Sequence, residues 1–340
     1  MARCPQLADT AAKAHADPRT ANADSPIEND MSDFLLASQN REPLQESFSD
    51  DANPLSLDGV EFIEYVTAAP QALGHVLEMM GFRPVARHRS REVLLYRQGG
   101  LNIVVNAHPA AAGRASLADD SPIISAVALR VRNARDAYHR VIDRGGWEVP
   151  THPEAMELNI PAIHGAGGSR IYFVDRYREF SIYDVDFVPI PGVDPLPPAL
   201  QGVHFFGIVQ YIGPGRTFDW VEFYRELFGT EVIPDEQRFG IMPKGKLLRA
   251  PALQAANTFM LQLIEPPLDA GLMGREYLQR IGLGVPDVLA AVEAMRTLGM
   301  EFVEMPAAHT ERRGAITKAY LGSVVFELVH SGDAAEQAIV

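Results

Sequence analysis

Cysteine is all but missing: Cys4 is the single thiol in 340 residues. One thiol in a polar stretch excludes an intramolecular disulfide and a cysteine-based metal cluster, and it fits a reducing, cytoplasmic setting. Long apolar runs are missing too. No stretch of about 18 apolar residues could form a membrane-spanning helix, and the first thirty residues lack the apolar core of a secretory signal. Basic clusters are also lacking. The formal net charge is −14, and no Lys/Arg stripe marks a nucleic-acid surface, so neither nucleic acid nor a membrane is expected as a partner.

What is present is the composition of a globular protein, 47% hydrophobic and 22% charged, in a chain long enough for two ordinary domains. Residues 1–56 are rich in Ala, Asp, Asn, Ser and Pro and have little periodic apolar character, which predicts a disordered tail with Met31 as an alternative start. Residues 1–57 hold ten acids and four bases, so only −8 of the net charge falls on the remainder. From Val60 the pattern becomes strand, helix (Gln71 to Met80, stopping at Gly81), then strands at Val93 to Tyr96 and Leu101 to Val105. This βαβββ order recurs. Ser125 to Val149 lies without a gap over Gln279 to Val303, each a strand, an amphipathic helix, a turn and a strand. Gly59-Val60-Glu61-Phe62 matches Gly202-Val203-His204-Phe205, and Glu179-Phe180-Ser181-Ile182-Tyr183 matches Val325-Phe326-Glu327-Leu328-Val329. Three slots are thereby paired: Glu61, Ala126 and Ser181 in the first copy with His204, Arg280 and Glu327 in the second. Residues 189–200, with five prolines, read as a stiff connector. The expected layout is a tail (1–56), an amino-terminal scaffold domain (57–188), the linker (189–200), a carboxy-terminal domain with the candidate site (201–333) and a short tail (334–340). Helices of the second copy are expected at about Phe218 to Phe228 and Val288 to Leu298.

Four βαβββ modules paired two by two resemble the vicinal oxygen chelate superfamily, which implies an α+β fold in which each pair of modules curls into an open barrel. Local text narrows this. The stretches Phe62-Ile63-Glu64-Tyr65, Met80-Gly81-Phe82, Leu95-Tyr96-Arg97-Gln98-Gly99, Met156 to Ile163 and Val174-Asp175-Arg176-Tyr177 resemble the amino-terminal domain of bacterial 4-hydroxyphenylpyruvate dioxygenase. Phe223 to Phe228 and Gly322 to Leu328 resemble its carboxy-terminal domain. The likeness spans about residues 58–333 and is denser in the first half. It implies an Fe(II)-dependent oxidation of an aromatic 2-oxo acid in tyrosine catabolism, with iron as cofactor, and a homo-oligomer.

By the same resemblance, iron is held by two His and one carboxylate on one face. His204 takes the first His position; its plain alternative is a hydrogen-bonded strand residue, and a one-residue shift would place Phe205 there. Glu327 takes the carboxylate position inside the apolar run VVFELV, where a charge is costly to bury unless paired or metal-bound. Arg280 stands where the family has its second His. A guanidinium has no lone pair to donate, so it is no ligand. Either another His completes the set, or metal is bound weakly, or Arg280 pairs with Glu327. His330 is three residues beyond Glu327 and faces the other way, while His309 sits on an expected loop. Other departures point the same way: Ile264 replaces an Asn substrate contact, Pro267 to Glu276 is a contracted segment, Lys318 and Tyr320 replace a Gln and a Phe, and the sequence ends thirteen residues after Glu327, without the family's closing helix. Gly165 to Gly168 precedes a strand, so it reads as a turn and not a phosphate loop; His75, His139 and His164 read as surface or packing residues; Trp220, Phe223, Tyr224 and Leu227 read as a core face. Two functions follow: an iron dioxygenase in which Arg280 clamps the substrate carboxylate as a catalytic residue, or an inactive or repurposed paralogue that binds an aromatic or 2-oxo acid ligand or a protein partner. Non-redox chemistry at another metal is a third.

Overall fold

The structure is a computed structural model that describes residues 52–108, 121–150, 158–234, 245–266, 275–305 and 314–331. Its elements run β1 (Leu57–Val66), α1 (Pro70–Met79), β2 (Arg83–His88), β3 (Val93–Gln98), β4 (Leu101–Asn106), β5 (Ile123–Val131), α2 (Ala134–Asp143), β6 (Ala162–His164), β7 (Arg170–Val174), α3 (Ile182–Asp186) and β8 (Phe187–Pro189). The second half runs β9 (His204–Tyr211), α4 (Thr217–Phe228), β10 (Glu231–Ile233), β11 (Lys246–Ala250), β12 (Phe259–Ile264), β13 (Tyr277–Val285), α5 (Val288–Thr297), β14 (Gly314–Ile316) and β15 (Phe326–His330). The fold is α+β and dominated by one open, branched sheet.

The repeat is visible in the sheet order. In the first half β1 pairs in parallel with β4 and antiparallel with β5, and β5 pairs in parallel with β7. In the second half β9, β12, β13 and β15 repeat these pairings. A single register pair, Leu278 opposite Ile124, links the two halves.

Local chemistry sets the ends of the helices. Asn133 accepts hydrogen bonds from the Arg135 and Asp136 amides at the start of α2, and Asp287 accepts from Ala290 N at the start of α5. The carboxylate of Glu265, just past β12, receives Gly215 N, Thr217 N and the Thr217 hydroxyl, and so caps α4 from outside the helix. Gly229 ends α4 with φ +70°, the left-handed conformation that favours glycine.

Two apolar clusters divide the interior. The larger joins both halves and takes in the buried faces of α1, α2, α4 and α5 with Ile63, Val127, Ile208, Ile281 and Phe326. The smaller fills the first half's curled sheet with Phe62, Leu95, Val104, Ala128 and Tyr183, with Tyr172 packed on it. The packed body reaches back before the expected start at 57: Leu55 is buried, and the Asn53 side chain bonds both Leu57 N and Leu57 O. The connector is held to the first half as well. Gly99 N donates to Pro197 O, Arg97 Nη1 to Pro195 O and Leu200 N to Gln98 Oε1.

Candidate functional site

Strand register places the three sequence-derived candidates. On β13, Arg280, Gly282 and Gly284 alternate onto one face; Glu327 of β15 stands opposite Gly282, and His204 of β9 stands opposite Gly284. All three candidates therefore share one face of the second half's sheet. Phe205, the one-residue alternative, lies on the other face and packs against Phe259 at 5.8 Å.

The structure brings Arg280 and Glu327 together. Arg280 Nε donates to Glu327 Oε2 at 2.7 Å, and the residues are 2% and 4% exposed. Arg280 Nη1 donates to Gln279 Oε1 at 2.7 Å. Gln279 is the extra residue at an irregularity between Leu278 and Arg280, which lets two neighbouring side chains meet. His204 is not brought into contact with this pair. Its Nδ1 lies 3.1 Å from Gly202 O and its Nε2 3.1 Å from Ser331 Oγ, just past the end of β15. The ring lies directly over Gly284, where any Cβ would come within 2.2 Å of Nε2. His330 is exposed at the end of β15; His309 and Pro267 to Gly274 lie outside the described residues.

Two of the slot pairings need correction. Val60 stands opposite Leu129 and Phe62 opposite Ala128, leaving Glu61 as a bulged residue; in the second half Phe205 faces Leu283 and Gly207 faces Gly282, leaving Phe206 in that role. Glu61 therefore corresponds to Phe206, not to His204. Likewise Tyr172 faces Ala128 as Glu327 faces Gly282, so Tyr172 and not Ser181 is the counterpart of Glu327. Ser181 instead starts α3, with Ser181 N donating to Asp184 Oδ2 in a capping box. Only the pairing of Ala126 with Arg280 stands.

The first half's interior is closed by its own side chains. Phe62 and Tyr172 contact one another with ring centroids 6.0 Å apart. Glu61, displaced by its bulge, takes Arg130 Nε at 2.6 Å, and burial first, then the Glu61 charge, raises the Tyr183 hydroxyl well above its ordinary pKa.

Lys318 and Tyr320 lie away from the Arg280 site. Lys318 pairs with the exposed Glu301, whose amide donates to Tyr320 Oη at 2.7 Å. A cavity of about 30 Å³ lies on the far face of the sheet, lined by Phe205, Tyr224, Phe228 and Phe259, and touches none of the three candidates. Its walls are mostly apolar, with Ser169 and Thr230 as polar exceptions, so it reads as a packing gap in the core.

Comparison with known proteins fits this geometry. A sequence profile described as "Hydroxyphenylpyruvate dioxygenase, HPPD, N-terminal" matches residues 51–188. The 4-hydroxyphenylpyruvate dioxygenase of Pseudomonas sp. (strain P.J. 874) is 33% identical over 268 residues, which cover 75% of this chain and 73% of that one. The chain belongs to the 4-hydroxyphenylpyruvate dioxygenase family. Hemolysin VllY of Vibrio vulnificus is also 33% identical, over 77% of this chain and 76% of its own. A solved fusion of a xylose isomerase-like TIM barrel with 4-hydroxyphenylpyruvate dioxygenase superposes with a TM-score of 0.64 at 22% identity; the match covers 81% of this chain and 49% of the fusion, and it speaks for the fold alone.

The iron that this family implies does not fit the residues present. One of the three positions carries a guanidinium, which cannot donate to a metal and instead occupies an oxygen of the carboxylate that would. Among the described residues, no group of three His, Cys, Asp or Glu side chains is placed to hold a metal ion.

Proposed function

We propose that this protein is a member of the 4-hydroxyphenylpyruvate dioxygenase family that has given up iron chemistry and works as a binding protein for a small aromatic acid. The observation that carries this reading is the 2.7 Å bond between Arg280 and Glu327, both almost fully buried. A buried carboxylate is tolerated only when its charge is met. In the family's plan the metal meets it; here Arg280 does. The fold needed to enclose a ligand is kept, while the ligand set needed to activate oxygen is broken.

The family's own activity, Fe(II)-dependent oxidation of an aromatic 2-oxo acid, is the second reading, favoured by His204 and Glu327 sharing one sheet face. The deciding experiment is iron analysis of protein purified and reconstituted without oxygen, beside Arg280→His and Arg280→His/Glu327→Ala. The expected result is no stoichiometric iron in the unmodified protein, iron in Arg280→His, and its loss in the double variant. Tight stoichiometric iron in the unmodified protein would sink the proposal and restore the dioxygenase reading.

A further inference from the structure

We infer that the first half carries a binding groove for a fatty-acid-like anion, away from the Arg280 face and independent of whether iron is bound. The groove lies between α2 and the segment that leads into β6, and its volume is about 440 Å³. Small-molecule sites span roughly 300–1,000 Å³, so the room is present. Arg280, Glu327 and His204 take no part in its lining.

The walls are of two kinds. Leu158, Ile160 and Pro161 on one side and Ile182 at the start of α3 give the groove an apolar floor. Leu158 and Ile160 are only partly buried although both pack on the smaller apolar cluster, so apolar surface is left for a ligand to cover. Arg135 and His139, four residues apart on one face of α2, and Arg176 just past β7 add an exposed, cationic rim. An apolar lining with a few polar groups that fix orientation is the make-up of a ligand site.

The cations of the rim are unpaired. Among the described residues no carboxylate pairs with the Arg135 or Arg176 guanidinium. Other arginines of this half are engaged: Arg130 by Glu61, Arg97 by Asn102 and Arg170 by Tyr172. Asp175 is the one acid of the described lining, and its Oδ2 already accepts Ala134 N at 3.0 Å. The start of α2 needs no anion either, because Asn133 takes the Arg135 and Asp136 amides. Two guanidiniums against one carboxylate leave one positive charge, which a monoanion offsets. A carboxylate head suits it, since a guanidinium can grip both of its oxygens.

The repeat supplies a control. α5 matches α2 without a gap, and Leu289 and Glu293 stand where α2 has Arg135 and His139. Register puts Ser331 at the place of Arg176. The second copy keeps the framework without the cations, so the fold alone does not demand them.

The test is calorimetric titration of the metal-free full chain with octanoate, 1-octanol and acetate. Octanoate should bind, and the other two at least tenfold more weakly, since octanol lacks the charge and acetate the apolar body. Arg135→Gln/Arg176→Gln should lose at least tenfold for octanoate, while Asp175→Asn, which keeps an acceptor for Ala134 N, should gain severalfold. Arg296→Gln, on the matching helix of the second half, should change nothing. Should the double variant melt early, Leu158→Glu, which sets a carboxylate among the apolar lining, decides in its place and should lose at least tenfold. Equal binding of octanoate and octanol, no binding at millimolar octanoate, or binding that survives both the double variant and Leu158→Glu overturns the inference.

Discussion

Removing one member of the Arg280–Glu327 pair is the most informative perturbation of this fold. The two side chains are 3% and 5% exposed and meet at 2.7 Å, so either single substitution leaves a charge with little solvent to answer it. Breaking a buried pair from one side typically costs about 3–5 kcal/mol, whereas replacing both partners with apolar residues of similar volume is often neutral or stabilising. At a few degrees per kcal/mol for a domain of this size, Arg280→Met or Glu327→Leu should lower the melting temperature by roughly 10 °C. The double variant should recover most of that loss. The assay is a double-mutant cycle by thermal and urea unfolding, run with and without chelator. A single variant that costs less than about 1 kcal/mol would refute the claim that the pair is dry and mutually dependent. So would unmodified protein that loses stability when chelator is added, because Glu327 would then be held by something the chelator removes.

Tyr224→Phe should cost about 1–3 kcal/mol in urea unfolding, because the fully buried Gln210 side chain would lose the bond it accepts from the Tyr224 hydroxyl at 2.5 Å, while its Nε2 has no partner among the described residues; a cost near zero would show that Gln210 is satisfied in another way. Glu265→Ala should cost about 1 kcal/mol through loss of the α4 cap. The Thr217 hydroxyl, then the Gly215 amide, hold the Glu265 carboxyl below its ordinary pKa. Its contribution is therefore present above the unfolded carboxylate value and lost as pH falls through the lower folded value, so Glu265→Gln should flatten the acid side of a stability-versus-pH curve. Gly284→Ala should drive the His204 ring off Ser331, since the new methyl would lie 2.2 Å from Nε2; unchanged imidazole signals for His204 in NMR spectra of the variant would contradict this placement.

Periodicity is enough to read the four long helices α1, α2, α4 and α5 and the central strands of both copies, because burial on one side of a helix or strand leaves a direct trace in residue order. It failed where the chain adds a residue. The shared Gly-Val-x-Phe text aligned Glu61 with His204, but a bulge at Glu61 and another at Phe206 shift the true correspondence by two positions. A bulge has no periodic signature, so only register could reveal it. Ser181 differs for another reason: its alternating apolar neighbours resemble a strand, while the Ser181-x-x-Asp184 capping box starts a helix there. The clearest unused signal was Gly282-Leu283-Gly284. Two glycines at alternate positions strip one face of a strand, which marks a close approach; here the His204 ring lies over Gly284, and Gly282 stands between Gly207 and Glu327.

The presence of Glu327 in an apolar strand looks at first like evidence for a metal, but Arg280 removes that argument. Once the Arg280 guanidinium is buried, a carboxylate is required to offset it, and Glu327 is placed to do so. The two residues therefore form one unit, and neither can be read as a remnant of iron binding independently of the other. His204 is outside that unit, tied to Ser331 and Gly202. It follows that Arg280→His should do two things together, remove the cation that Glu327 needs and supply an imidazole, so that the variant is destabilised without metal and restored by it. A melting temperature of Arg280→His that rises with added Fe(II) or Zn(II), against an unmodified protein that ignores both, is the outcome this coupling requires.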